Sequence, residues 1–177
     1  MTSFVAHPAH AEDQPHAHSI LTFHVLRAGA AAGSIVAAGT ATLATLYAGP
    51  RTLRGLGARL VGHSARGIAL GTLFGGLALA GRMWGREDVE WQDRSWRLLE
   101  NKGQMELDNW LLAGSGLGAA AAAVVLRRGA LVGRVLGGAG LGATAGTVGY
   151  LGWRYGVNGG KFPEKKRNAS SSTVAGS

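Results

Sequence analysis

Five of the six histidines, His7, His10, His16, His18 and His24, fall within the first 26 residues. Clustered imidazoles can ligate a metal. His16 and His18 are spaced i, i+2, which brings rings together in a strand or loop but not on one helix face. The segment reads as a polar terminus, and no metal site is expected from it. His63 lies between Arg59 and Arg66 and reads as an interface residue. The chain has no Cys, which removes disulfides, thiolate zinc sites, Fe–S clusters and a cysteine nucleophile. The runs GSGLG at 114–118 and GAGLG at 138–142 look like phosphate loops. No strand pattern precedes either, and both sit inside apolar stretches, so neither is one. Ion carriers place charge inside a span. Here the middles of the apolar runs carry none, which disfavours transport by this chain alone. No catalytic residue, cofactor or small-molecule substrate is expected.

The elements that would hold any site come from the apolar runs. The chain has 177 residues, 30 of them Gly, where average usage would give about 12. Its 18 Lys and Arg against 10 Asp and Glu give a net charge of +8. A basic balance suits nucleic acid. These charges, however, sit in short blocks between apolar runs, so no nucleic-acid partner is expected. Residues 1–26 are polar and fit neither a secretory signal nor an Arg-rich presequence. Residues 27–155 hold four apolar runs, at about 28–49, 62–81, 110–126 and 135–151, and residues 156–177 form a basic, Ser/Ala-rich tail. A helix of about 20 residues crosses the hydrocarbon core. The expected fold is an all-α membrane protein with four transmembrane helices in two hairpins. The loops 50–66 and 127–134 contain seven Arg and no acid. Short basic loops stay on the matrix or cytoplasmic side. The termini and the connection 82–109 then face the other way.

Small residues recur at steps of four along every run. Gly29 and Gly33 lead to Ala37 and Ala41; Gly67, Gly71 and Gly75 form a tandem GxxxG. Gly114 and Gly118 lead to Ala122; Gly138, Gly142 and Gly146 form a second tandem. Steps of four share a helix face, and without Cβ bulk the backbones can approach closely in lipid. These ten glycines are the expected helix-packing positions. Gly and Ala gain little from lipid, so the bundle should depend on neighbours, and phospholipid and a larger membrane partner are expected around it.

The connection 82–109 is the most informative polar stretch. Glu87 and Asp88 suit a helix start. Glu90–Arg94 and Asp93–Arg97 are acid-before-base i, i+4 pairs. Gly103 is the expected stop. An amphipathic helix over 87–102 follows, with Trp91, Arg94, Trp96, Arg97 and Leu99 as expected partner-docking residues. It lacks the Lys/Arg excess of a lipid-surface helix.

The stretch EWQDRSWRLLENKGQ at 90–104, running on to Trp110, resembles a family of small fungal mitochondrial proteins, the NUXM accessory subunits of respiratory complex I. The likeness extends over about residues 25–155. Span count and small-residue patterning are also similar to the four-helix inner-membrane protein-import translocases. The first resemblance implies a non-catalytic subunit of NADH:ubiquinone oxidoreductase in the mitochondrial inner membrane. It would support membrane-arm stability or assembly, with membrane-arm subunits as partners and no cofactor of its own. The charge pattern then turns the termini toward the intermembrane space. The alternatives are an import-translocase component and a membrane-shaping oligomer.

Overall fold

The computed structural model describes residues 7–49, 51–126 and 129–162. Five α-helices follow in order: α1 (Ala17–Ala48), α2 (Leu53–Met83), α3 (Asp88–Glu100), α4 (Lys102–Val125) and α5 (Leu131–Leu151). A 3-10 turn, Ala11–Asp13, precedes α1, and a π-helical turn, Gly152–Val157, extends α5. No strand occurs among the described residues.

α1 packs along α2 and α4 along α5, giving two antiparallel hairpins. They meet chiefly through α2 and α5, with α1 also touching α5, while α3 rests against the start of α1. α1 is 32 residues long, about 48 Å at the helical rise. It begins at Ala17, well before the apolar run at 28–49, so its first turns continue past that run. α2 begins at Leu53, ahead of the expected 62, with the Thr52 hydroxyl accepting from Gly55 N–H at 3.1 Å as an N-cap.

Among the described residues two helices, α1 and α2, are each long and apolar enough to cross a membrane. α4 and α5 reach about 36 and 31 Å, but glycine dilutes their hydropathy. Seven of the 21 residues of α5 are Gly, which contributes little to transfer into lipid.

The bundle is packed inside out. Most of its buried positions are small or polar, among them Ala31, Ala37, Ala41, Ala122 and Ala143, with Ser34, Thr45 and Ser64; Met83, Leu111 and Tyr150 are the large apolar side chains buried beside them. Its large apolar side chains point outward on all four long helices, including Val36, Leu70, Phe74, Leu117, Val124 and Val148. In a protein folded in water such residues are most often buried. The inward hydroxyls bond to their own helix: Ser34 donates to Ala30 O at 2.8 Å and Thr45 to Ala41 O at 2.9 Å.

The polar connection departs from expectation in two details. Gly103 does not stop the helix; it lies inside α4. The break falls at Asn101, whose ψ is 89° and whose side chain caps the new helix by accepting from Gln104 N–H at 3.1 Å. A capping side chain so placed outcompetes the C-terminal role of glycine, which needs no left-handed residue here. The ion pairs also shift. Asp93–Arg97 forms at 2.9 Å, but Glu90 pairs with Arg86 at 3.2 Å instead of with Arg94.

Candidate functional site

The glycine stripes form two backbone-to-backbone seams. A Cβ placed at Gly29 would strike the Gly71 carbonyl, and one at Gly71 would strike Gly29. One at Gly33 would strike the Gly67 carbonyl, and one at Gly67 would lie 2.5 Å from the Gly33 carbonyl oxygen. Gly75 faces the Val25 carbonyl. The α4–α5 hairpin repeats this arrangement, with Gly114 against Gly142, Gly118 against Gly138, and Gly146 against the Trp110 carbonyl. Ala37 meets Gly67, and Ala122 meets Gly138. Both hairpins therefore share one spacing, Gly-x3-Gly-x3-Ala against Gly-x3-Gly-x3-Gly. Where the hairpins dock, Gly140 on α5 faces the buried Ser34 and Ser64, and Gly137 faces the Val61 backbone.

Above the seams lies a buried ionic cluster. Asp108 on α4 is 3% exposed. Its carboxylate pairs with Arg27 of α1, meets His24 Nδ1 at 3.0 Å and accepts from Gln104 Nε2 at 3.2 Å. A second pair sits close by in sequence: Arg154, 2% exposed, is 2.8 Å from Glu106. Arg154 also donates to Lys161 O at 2.6 Å and lies 3.5 Å over the Phe162 ring. A buried charge must be paired, and here each pair joins elements distant in sequence. These groups close on one another and present no free nucleophile or base to a substrate.

Residue spacing does not reveal either pair, because each charge lies at the edge of an apolar run. A signal existed. Arg27 is the last base before the run at 28–49, and Asp108 is the last acid before 110–126. Two hairpins bring those edges to one end of the bundle.

The rings expected to anchor a partner protein are engaged within the chain. Trp96 Nε1 donates to the Pro8 carbonyl at 3.0 Å, and His7 meets its ring edge at 5.3 Å. Trp91 stacks on His18 at 4.2 Å, and His18 also reaches Asp88 at 3.0 Å. His7 is 3.2 Å from Glu100. His7 and His18 thus hold the two ends of residues 7–18 onto α3. No group of three or more metal-ligating side chains occurs among the described residues. Leu99 is half-buried beside Phe23 and Met105, while Arg94 and Arg97 face a separate pocket under α3. His63 Nδ1 lies 3.1 Å from Thr40 Oγ1, joining α2 to α1.

Seams without side chains, an apolar exterior and charges paired inside define a helical protein suited to a lipid environment. Residues 1–149 match the family DUF1757, described as protein of unknown function, and the chain belongs to that family. No curated protein matches the chain.

Proposed function

We propose that this chain is a non-catalytic structural subunit of a mitochondrial inner-membrane complex, namely respiratory complex I, which it enters as four transmembrane helices. The observation that carries the membrane part is the inside-out packing: Val36, Phe74, Leu117, Val124 and Val148 all point away from the bundle. Contiguous apolar exteriors mark contact with lipid or protein. α4 and α5 expose such residues as α1 and α2 do, which supports four spans over two. The complex I part is supported by the likeness of residues 90–104 to the NUXM subunits. A structural role fits a chain whose buried ionisable groups neutralise one another.

Blue-native electrophoresis of detergent-solubilised mitochondria, with an antibody to this chain, tests the proposal. Comigration with NADH dehydrogenase activity is expected. Migration with import components, or as a homo-oligomer apart from that activity, overturns it.

A further inference from the structure

Three guanidinium groups, Arg82, Arg94 and Arg97, line one pocket of about 440 Å³ where α2 ends and α3 passes over α1. Arg97 is paired with Asp93 at 2.9 Å. The acids at α3's start are turned elsewhere: Glu90 is held by Arg86 and Asp88 meets His18, while Glu87 does not line the pocket. His24, on the pocket wall, is turned to Asp108. Arg82 and Arg94 have no acidic or carbonyl partner among the described residues, and Arg94 is half-buried. Apart from Asn101, whose side chain caps α4, the rest of the wall is apolar, with Leu21, Val25 and Leu79. A half-buried cation on an apolar wall calls for an anion.

The pocket does not end there. Ala78 belongs to it and also to an open groove of about 670 Å³ running along the α1–α2 seam. Val36, Leu70 and Phe74 line that groove beside the seam glycines, which have no side chains to fill it. From Ala78 to His63 the groove follows α2 for about 22 Å, more than the roughly 15 Å of one leaflet's hydrocarbon half. The continuous shape is a trough that is apolar along its length, with the unpaired Arg82 and Arg94 together at the α3 end and the exposed Arg66 beside His63 at the far end. That is the complement of an amphiphile with an anionic head. A free anion would leave the trough unused, and so would an acidic peptide. Arginine also matches phosphate geometry better than lysine does, and basic pockets between spanning helices suit anionic headgroups.

We propose that this composite pocket binds one anionic phospholipid, with Arg82 and Arg94 on its phosphate and an acyl chain laid along the α1–α2 seam. The inference rests on the membrane reading above. The lipid would fill a seam that the bundle's own side chains leave open, and would tie α3 to the α1–α2 hairpin.

The full chain, purified in neutral detergent, is incubated with dioleoyl phosphatidylglycerol or dioleoyl phosphatidylcholine, and retained lipid is measured by native mass spectrometry. Phosphatidylglycerol should be retained in preference to phosphatidylcholine. A charge-assisted hydrogen bond contributes enough that Arg94→Gln should weaken phosphatidylglycerol binding about tenfold. Arg94→Lys should recover part of that loss. Arg82→Gln, at an exposed position that leaves the bundle intact, should also weaken binding. Arg54→Gln, in the opposite loop, should leave it unchanged. Ala78→Trp, which blocks the junction, should lower it. Equal retention by wild type and the Arg82→Gln/Arg94→Gln pair overturns the site. So does displacement of the lipid by glycerol phosphate, which would mean a bare phosphate site, or by a polyglutamate peptide, which would mean a protein-docking site. Alkaline carbonate extraction of membranes separates the two readings. A chain that is extracted fails as a membrane protein; a chain that stays while its lipid binding ignores Arg82 and Arg94 loses only the lipid site.

Discussion

Asp108 and Arg27 form an ion pair across 81 residues of sequence, joining the second hairpin to the first. Asp108's side chain is 4% exposed and Arg27's 26%. Breaking a buried pair by removing one member leaves an uncompensated charge and costs about 3–5 kcal/mol. Arg27 reaches some solvent, so Asp108→Ala should cost about 3 kcal/mol, the low end of that range. Replacing both members together, Arg27→Met with Asp108→Leu, should cost less than Asp108→Ala alone, because no orphan charge remains. Thermal unfolding in detergent measures both. A double variant as damaged as the single one would show that the pair is not the clamp between hairpins.

The seams make a sharper prediction from glycine positions of opposite surroundings. Gly71 and Gly142 each face another helix's backbone, while Gly57, Gly62 and Gly116 have open space around a Cβ. Backbone cannot rotate away as a side chain can. Gly142→Ala should therefore separate α4 from α5 and cost at least the 1–3 kcal/mol typical of overpacking, and Gly71→Leu should cost more. At Gly57 or Gly116 the same change to Ala should stabilise by up to about 1 kcal/mol, from helix propensity alone. Melting temperatures of the four variants decide it. Equal behaviour of the seam and open positions would remove the structural meaning of the stripes.

The steps of four in Gly29, Gly33, Gly67, Gly71, Gly114, Gly118, Gly138 and Gly142 were readable in sequence because close helix packing has a fixed period. The pairing register was not, since it depends on which turn of one helix meets which turn of the next. The two-hairpin order was legible from the alternation of apolar runs and polar loops. The start of α1 at Ala17 was not: His18, His24 and Arg27 interrupt Ile20, Leu21, Phe23, Val25 and Leu26, so no uncharged run marks residues 17–27, and contacts with α3 add to their packing. The contact that Trp96 makes within the chain was not legible either. An aromatic on a polar helix announces a contact, but the sequence does not say that the contact is with Pro8.

Topology gives a third prediction. The hairpin loops lie at one end of the bundle, and α3 with the start of α1 lies at the other. The absence of native Cys allows single-cysteine labelling. Ser19→Cys and Glu100→Cys should react with a membrane-impermeant maleimide from the same side. Thr52→Cys and Gly129→Cys should react only from the other, which the positive-inside rule makes the matrix side if the proposed inner-membrane location holds. Labelling of Ser19→Cys and Thr52→Cys from one side would mean that the first hairpin does not cross.

Trp96 tests what holds the N-terminal segment. Its indole N–H donates to the Pro8 carbonyl, and its ring meets His7, while Trp91 stacks on His18. Trp96→Phe keeps the ring and removes the donor, a loss of about 1 kcal/mol for one hydrogen bond. Trp96→Ala also removes the ring contact and should release residues 7–16 from α3. Hydrogen exchange over those residues should rise modestly in Trp96→Phe and strongly in Trp96→Ala, with exchange in α4 and α5 unchanged. The segment then becomes available to an outside partner only after it leaves α3, so Trp96→Ala should alter retention in the complex proposed above through residues 7–16. Deleting residues 1–16 should reproduce that effect. If Trp96→Ala changes retention while the deletion does not, Trp96 meets the partner directly and the intramolecular contact is incidental to assembly.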